Sequence, residues 1–321
     1  MALYTQEPPF AVQVELSEGC NLRCSFCGIN GIRTKEKTFK FMTVKTATAI
    51  ASKMRADGWT ARIEFAMHGE PTMNPNAAAI VAVFRKWLPK SSMLMLSNGG
   101  GLLPGAPEKI QALMDAGLNT LGLDEYENIA LVPKIIAAVG KANVSYEVLT
   151  YPDDPKGNPH DRQSHNKRRL VHIRPISLNS SGTHATLNNH AGAGAPPSTV
   201  AHGKPCAKPF REISFRWDGS VAICCNDWRG ELGCGNINKI ELDEIWNGAV
   251  MEAARRKLLI GDRNFGPCKG CDALSYRTGL LPDKLGKKTM PLPTKFTDET
   301  LRVALRRKPL TTPVKREWEK K

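Results

Sequence analysis

Nine cysteines stand in this chain of 321 residues, and they fall into two groups. The first is Cys20-Asn-Leu-Arg-Cys24-Ser-Phe-Cys27. Three thiolates this close can wrap one corner of a metal cluster. They are one short of a closed tetrahedral zinc site or a four-thiolate iron–sulfur site. A centre held this way keeps an open coordination position, which a substrate or cofactor can occupy. Zinc would need a fourth ligand, and the nearest histidine along the chain is His68. The second group is Cys206-x12-Gly219-x4-Cys224, followed by Cys268-x2-Cys271. Four thiolates close a site completely, and on chemistry alone a zinc ribbon and an iron–sulfur cluster are comparable. Cys225 and Cys234 are left over and read as buried structural thiols, with Cys234 the rival for a place in the second set. Two polar motifs complete the inventory, His68-Gly69-Glu70-Pro71 and Ser97-Asn98-Gly99. Alone, each is no more than a turn or a loop. No side chain declares itself as a catalytic acid or base.

The elements between these motifs alternate. Strand patterns are expected over Val12–Ser17, Arg62–Ala66, Ser92–Leu96, Thr120–Leu123 and Val144–Leu149, with a last one at Leu170–Ile173. Helices are expected from Thr43 to about Ala56, over Asn76–Leu88, Pro107–Ala116 and Asn128–Val139. Strands alternating with helices of this length imply a parallel sheet. Each polar motif follows a strand, at the end where α/β proteins carry their chemistry. The rhythm breaks at Tyr151, where a polar, Pro-rich, basic loop begins. A long loop over Ser177–Gly203 leads to the second cysteine group. There, Glu212–Arg216 and Ser220–Cys224 form a hairpin around Asp218-Gly219, and Leu242–Lys257 a helix. Expected units are residues 1–175, 176–281 and a basic appendage, 282–321.

The spacing C-x3-C-x2-C after the first strand, with aromatic Phe26 before the third cysteine, resembles the radical S-adenosylmethionine (radical SAM) superfamily. The resemblance implies that Cys20, Cys24 and Cys27 hold a 4Fe–4S cluster whose open iron chelates SAM. Reductive cleavage of SAM would then yield a 5′-deoxyadenosyl radical that takes a hydrogen atom from substrate. His68–Pro71 is similar to the family's GGEP-type motif, with His68 in place of the usual first glycine. Gly69 and Glu70 would meet the SAM ammonium. Ser97 and Asn98 resemble the element near the SAM carboxylate and ribose, and Asp124 ends the strand that often supplies a ribose contact. Glu147 is a weaker candidate of the same kind, with an exposed strand carboxylate the plainer reading. The second cysteine group resembles the auxiliary-cluster domain of the SPASM and twitch subfamilies, as do Asn188-Asn189-His190-Ala191-Gly192 and Glu244–Gly248. This implies one auxiliary iron–sulfur cluster on Cys206, Cys224, Cys268 and Cys271, in the shorter twitch form. The implied fold is α/β: a partial (β/α)6 radical SAM barrel followed by a small α+β twitch-type domain.

Composition bounds the rest. Hydrophobic residues make up 41% and charged residues 24%, which excludes a collagen-like, disulfide-miniprotein or wholly disordered chain. No stretch reaches the apolar length of a membrane helix. The first residues lack the pattern of a secretory signal, so a cytoplasmic protein is expected. Formal net charge is +14. Residues 1–154 are balanced, so the whole excess lies in residues 155–321, notably in Pro155–Arg174 and Asp283–Lys321. Such a bias suits an anionic partner. The expected reaction is therefore hydrogen abstraction from an anionic substrate, with a base in DNA or RNA foremost. The outcome would be hypermodification, rearrangement or oxidation. Lys167, Arg168 and Arg169, placed in the loop between the units, and Arg306, Arg307 and Lys308 in the tail, would grip the backbone. Alternatives are maturation of a peptide or protein, dehydrogenation of a small biosynthetic intermediate, or a zinc-dependent nucleic-acid-binding protein without catalysis. A flavodoxin or ferredoxin would supply electrons.

Overall fold

The computed structural model describes residues 7–24, 26–31, 39–126, 130–151, 167–173, 189–194 and 203–273. The expected tail, the cations Arg306, Arg307 and Lys308, and most of the two long loops lie outside the described residues.

The chain opens with β1 (Ala11–Val14) and two short strands, β2 (Ser17–Glu18) and β3 (Lys40–Phe41). Helix α1 (Val44–Ala56) starts where the sequence places it, because the Thr43 hydroxyl accepts the Thr46 N–H at 3.1 Å. The alternation continues through β4 (Arg62–Phe65), α2 (Ala77–Trp87), β5 (Met93–Ser97), α3 (Ala106–Asp115), β6 (Thr120–Asp124), α4 (Leu131–Val139), β7 (Glu147–Tyr151) and β8 (Arg169–Ile173). The second half adds α5 (Lys208–Arg211), β9 (Glu212–Phe215), β10 (Ser220–Ala222), β11 (Gly233–Asn236), α6 (Leu242–Trp246) and α7 (Ala249–Leu259).

Nine strands form one sheet in the order β11-β10-β9-β1-β4-β5-β6-β8-β7. From β1 to β7 all neighbours are parallel, so their C-terminal ends share one rim. Two features depart from simple sequential order. β8 inserts between β6 and β7. β9 pairs in parallel with β1, in the register Ala11↔Glu212 to Val14↔Phe215, so the auxiliary half extends the barrel sheet from its first strand. One hydrophobic core runs through both halves, from Val12 and Ile63 to Ile213, Trp246 and Phe265. Trp59 meets Trp246 edge-on at 5.7 Å across the junction.

The single helix expected over Leu242–Lys257 is two helices. Asn247-Gly248 breaks it, and Gly248 is extended (φ −72°, ψ 161°). A Cβ there would come within 2.2 Å of the Glu244 carbonyl, so only glycine makes this corner. The break lets Arg255 lie 4.0 Å from the Trp246 ring and donate to the Trp246 carbonyl at 2.6 Å. The strand expected at Val144–Leu149 runs three residues later at its start.

Candidate functional site

A cavity of about 440 Å³ opens at the C-terminal rim of the sheet. That size lies in the range of small-molecule sites. The loop after β2 brings Cys20, Cys24, Phe26 and Cys27 to its wall. The turns after β4 and β5 add Gly69 and Glu70, then Ser97 and Asn98, and β6 adds Asp124. Every residue nominated for the first cluster and for SAM, except Glu147, thus lines one space.

Glu70 organises that space. It is 2% exposed, and Oε1 accepts from Thr72 N–H (2.9 Å), the Thr72 hydroxyl (2.6 Å) and the Ser97 hydroxyl (2.5 Å). Oε2 accepts the Asn98 N–H at 2.8 Å. Burial raises its pKa, and these hydrogen bonds work against the rise. Asn98 in turn donates from Nδ2 to Cys20 Sγ at 3.3 Å. Gly69 sits at φ +76°, and a Cβ would reach within 2.0 Å of the Ser17 carbonyl. Glycine alone lets the Glu70 N–H bond the Gly19 carbonyl beside the first cysteine (2.9 Å).

The opposite wall is acidic. Asp124 is pushed up to about 6, by burial first and by Glu70 as well, while the Tyr126 hydroxyl donates to it at 2.8 Å. Phe26 packs against Tyr126 with ring centroids 5.6 Å apart. Glu125 pairs with His172 at 2.9 Å. Among the described residues of the wall, three are carboxylates and none is lysine or arginine.

The auxiliary half closes the cavity with Cys225, Asn226 and Trp228, and the Asn188–Gly192 segment adds His190. Cys225 adjoins Cys224, and its half-buried thiol lies 3.4 Å from both Lys208 and Glu212. Burial, then Glu212, pushes it up to about 12, so it stays a thiol. Asn226 is 5% exposed and its Nδ2 has no hydrogen-bond partner.

Cys206, Cys224, Cys268 and Cys271 are all buried. Burial raises the Cys224, Cys268 and Cys271 thiols. Cys268 adds to the rise at Cys224, and Cys206 adds to it at Cys268 and Cys271. Four thiols that crowd one another in a buried space suit a cationic centre, which makes thiolates of them. Among the described residues no three His, Cys, Asp or Glu side chains converge on a point where one ion could sit. The donor sets fit clusters, whose ligands surround several irons, with the first set leaving one iron open. Cys234 is buried too, with Sγ 3.6 Å from the Leu232 carbonyl.

Two expectations are corrected. Glu147 is exposed at the N-terminal start of β7, far from the rim, which is the plainer reading of that carboxylate. Lys167, Arg168 and Arg169 also lie at the N-terminal end of their strand. Arg168 pairs there with Asp115 (2.9 Å), and Arg169 is 4% exposed. They sit at the sheet edge opposite the cavity because β8 is parallel to β6. Sequence reasoning missed Asn226, Trp228 and His190 as cavity residues. Their only signal was position, just after Cys224 and within the Asn188–Gly192 motif.

The sequence pattern of the radical SAM superfamily matches residues 14–124. That of SPASM, an iron–sulfur cluster-binding domain, matches residues 206–272. No curated protein matches. Among solved structures, BtrN in complex with AdoMet and 2-DOIA is similar at 18% identity and a TM-score of 0.61, over 84% of this chain and 96% of that one. BtrN in an open conformation is similar at 17% identity and 0.55, over 84% and 94%. At these identities the likeness is one of fold. With both sequence patterns matched and the fold shared, this chain belongs to the radical SAM superfamily and carries a SPASM-type auxiliary-cluster domain.

Proposed function

We propose that the cavity binds SAM beside Cys20, Cys24 and Cys27, and a substrate between SAM and the auxiliary loop. One observation carries this reading: the same cavity is lined by the three cysteines of the first group and by Cys225, the neighbour of Cys224. A cluster and SAM bound there would supply one-electron cleavage of SAM and a hydrogen-abstracting radical. The chain's own residues do the rest. Glu70 holds Ser97 and Asn98 in place and keeps a lone pair for an ammonium. Asp124 offers an oxygen to a sugar hydroxyl. Cys206, Cys224, Cys268 and Cys271 would hold the auxiliary cluster, which would supply an electron acceptor and so favour net oxidation over rearrangement.

The part of the substrate that enters is neutral or cationic. Glu70, Asp124 and Glu125 line the cavity, and no described lysine or arginine does. A base in DNA or RNA stays a second reading, favoured by the net charge of +14. A flipped or single-stranded base is itself uncharged, and its phosphates would remain outside the cavity. A low-potential flavodoxin or ferredoxin in a reducing cytoplasm fits the electron demand. No helix among the described residues is long and apolar enough to cross a membrane.

The test is anaerobic reconstitution followed by mass spectrometry. The wild type should form 5′-deoxyadenosine with dithionite, and the Cys20, Cys24, Cys27→Ala triple variant should not. Equal cleavage by both would refute the assignment. Comparing nucleosides, peptides and metabolites from host cells with and without the gene then separates the substrate readings.

A further inference from the structure

His68 stands where similar motifs have glycine, and it is 3% exposed. Its two ring nitrogens face two acceptors. Nδ1 lies 3.0 Å from Glu15 Oε1, and Nε2 lies 2.7 Å from the Cys225 carbonyl. A carbonyl cannot donate. Burial works to raise the Glu15 carboxyl, but Arg216 and His68 outweigh it, so Glu15 is a carboxylate. The His68 ring thus spans the junction between the barrel and the auxiliary loop, with one nitrogen on each side.

The junction is built around it. The His68 ring packs on Trp228 with centroids 4.2 Å apart, and Trp228 stacks on His190 at 5.0 Å. Burial, then His68, brings His190 down to about 4, so its neutral ring accepts the Gly28 N–H at Nδ1 (3.1 Å). Gly28 directly follows Cys27, and a Cβ on it would come within 2.8 Å of Trp228. On the other side Arg216 joins Glu18 (2.7 Å), near Cys20, and donates to the Trp228 carbonyl (3.2 Å). Both cysteine loops are thus tied to one imidazole and its partners.

We infer that His68 is a positioning residue that sets the auxiliary loop, Cys224 to Trp228, at a fixed distance from the SAM-cluster loop. The inference rests on the two-cluster reading above. A glycine in its place would leave the Cys225 carbonyl without its donor and one face of Trp228 uncovered. The auxiliary loop would then hold its cluster in a looser setting.

The experiment uses the full chain reconstituted anaerobically, as wild type, His68→Gln and His68→Gly. Gln can reach one of the two acceptors and Gly neither. Hydrogen exchange at the Asp227, Trp228 and Gly230 amides is read first. It should rise in the order wild type, Gln, Gly, with the last step to Gly reaching about fivefold, as for the loss of a hydrogen bond. The auxiliary cluster is then read alone, with Cys20, Cys24 and Cys27 changed to Ala. Its electron paramagnetic resonance signal and midpoint potential should move in His68→Gly and return part of the way in His68→Gln, with the iron content unchanged. Identical exchange and an identical signal in all three proteins would overturn the inference. If His68→Gly does not fold, the Gln variant decides: faster exchange confined to these amides supports the inference, and exchange equal to wild type overturns it. Absence of iron from the background variant would refute the two-cluster reading, and the exchange measurement would still judge His68.

Discussion

The Glu70 carboxylate accepts the backbone N–H of Asn98 at 2.8 Å, and so joins the turn after β4 to the loop after β5. Asn98 then touches Cys20 Sγ. The expected SAM contact is thus also the hinge pin of the pocket that would hold SAM. Glu70→Ala removes the acceptor for two backbone N–H groups and two hydroxyls. SAM affinity should fall by roughly 1.5–3 kcal/mol, the range for a hydrogen bond to a charged group. Exchange at the Asn98 and Gly99 amides should rise with it. Glu70→Gln keeps one carbonyl acceptor and should fall between. Isothermal titration with SAM checks this, and unchanged affinity in Glu70→Ala would make the motif a turn and nothing more.

Asp124 gives a pH dependence with a definite sign. Its carboxyl is raised from 3.8 to about 6. An ionised carboxylate accepts from a sugar hydroxyl more strongly than a neutral acid does. SAM binding should therefore tighten as pH rises from about 5 to about 7, because the ionised form becomes available across that window. Asp124→Asn cannot ionise and should give a flatter profile. The same pH profile in both proteins would remove Asp124 from the SAM site.

Much of this was legible in the chain, and the reason is physical. Cys20, Cys24 and Cys27 are close in sequence, so one loop suffices to gather them. Thr43, Gly117 and the Asp218-Gly219 turn act on their immediate neighbours in the chain, so they mark element ends wherever they occur. The strand order was not legible. The parallel pairing of β9 with β1 joins residues some two hundred positions apart, and nothing local encodes it. His190 and Asn226 were hidden for the same reason, since each becomes a cavity residue only when distant segments pack. The basic run Lys167–Arg169 misled because charge was read without direction. A parallel strand sends its first residues to the rim opposite the chemistry.

The auxiliary ligand set can be decided by iron content. Cys206 raises Cys268 and Cys271, Cys271 also raises Cys268, and Cys268 raises Cys224. Changing any of these four to Ala, in a background lacking the first three cysteines, should lower iron well below the roughly four atoms expected for one cluster. Cys225→Ala should keep the iron, since its thiol is engaged by Lys208 and Glu212. Cys234→Ala should keep it as well. Loss of iron in Cys234→Ala with retention in Cys206→Ala would redraw the set.

The last prediction separates charge that can serve the cavity from charge that cannot. Lys167 and Arg168 are exposed, but at the N-terminal end of β8, with Arg168 paired to Asp115. A polyanion entering at the C-terminal rim does not meet them. If the protein binds single-stranded DNA or RNA, the Lys167→Gln, Arg168→Gln double variant should keep the salt dependence of the wild type. Each lost phosphate contact would instead flatten the log–log slope by about 0.7 for a single strand. Arg169 is left intact because it is buried between strands, and changing it would test folding. The measurement is fluorescence anisotropy with a labelled oligonucleotide across a salt series. A slope reduced by more than one unit in the double variant would show that nucleic acid tracks along the face opposite the cavity, and would break the link between the positive charge and the reaction.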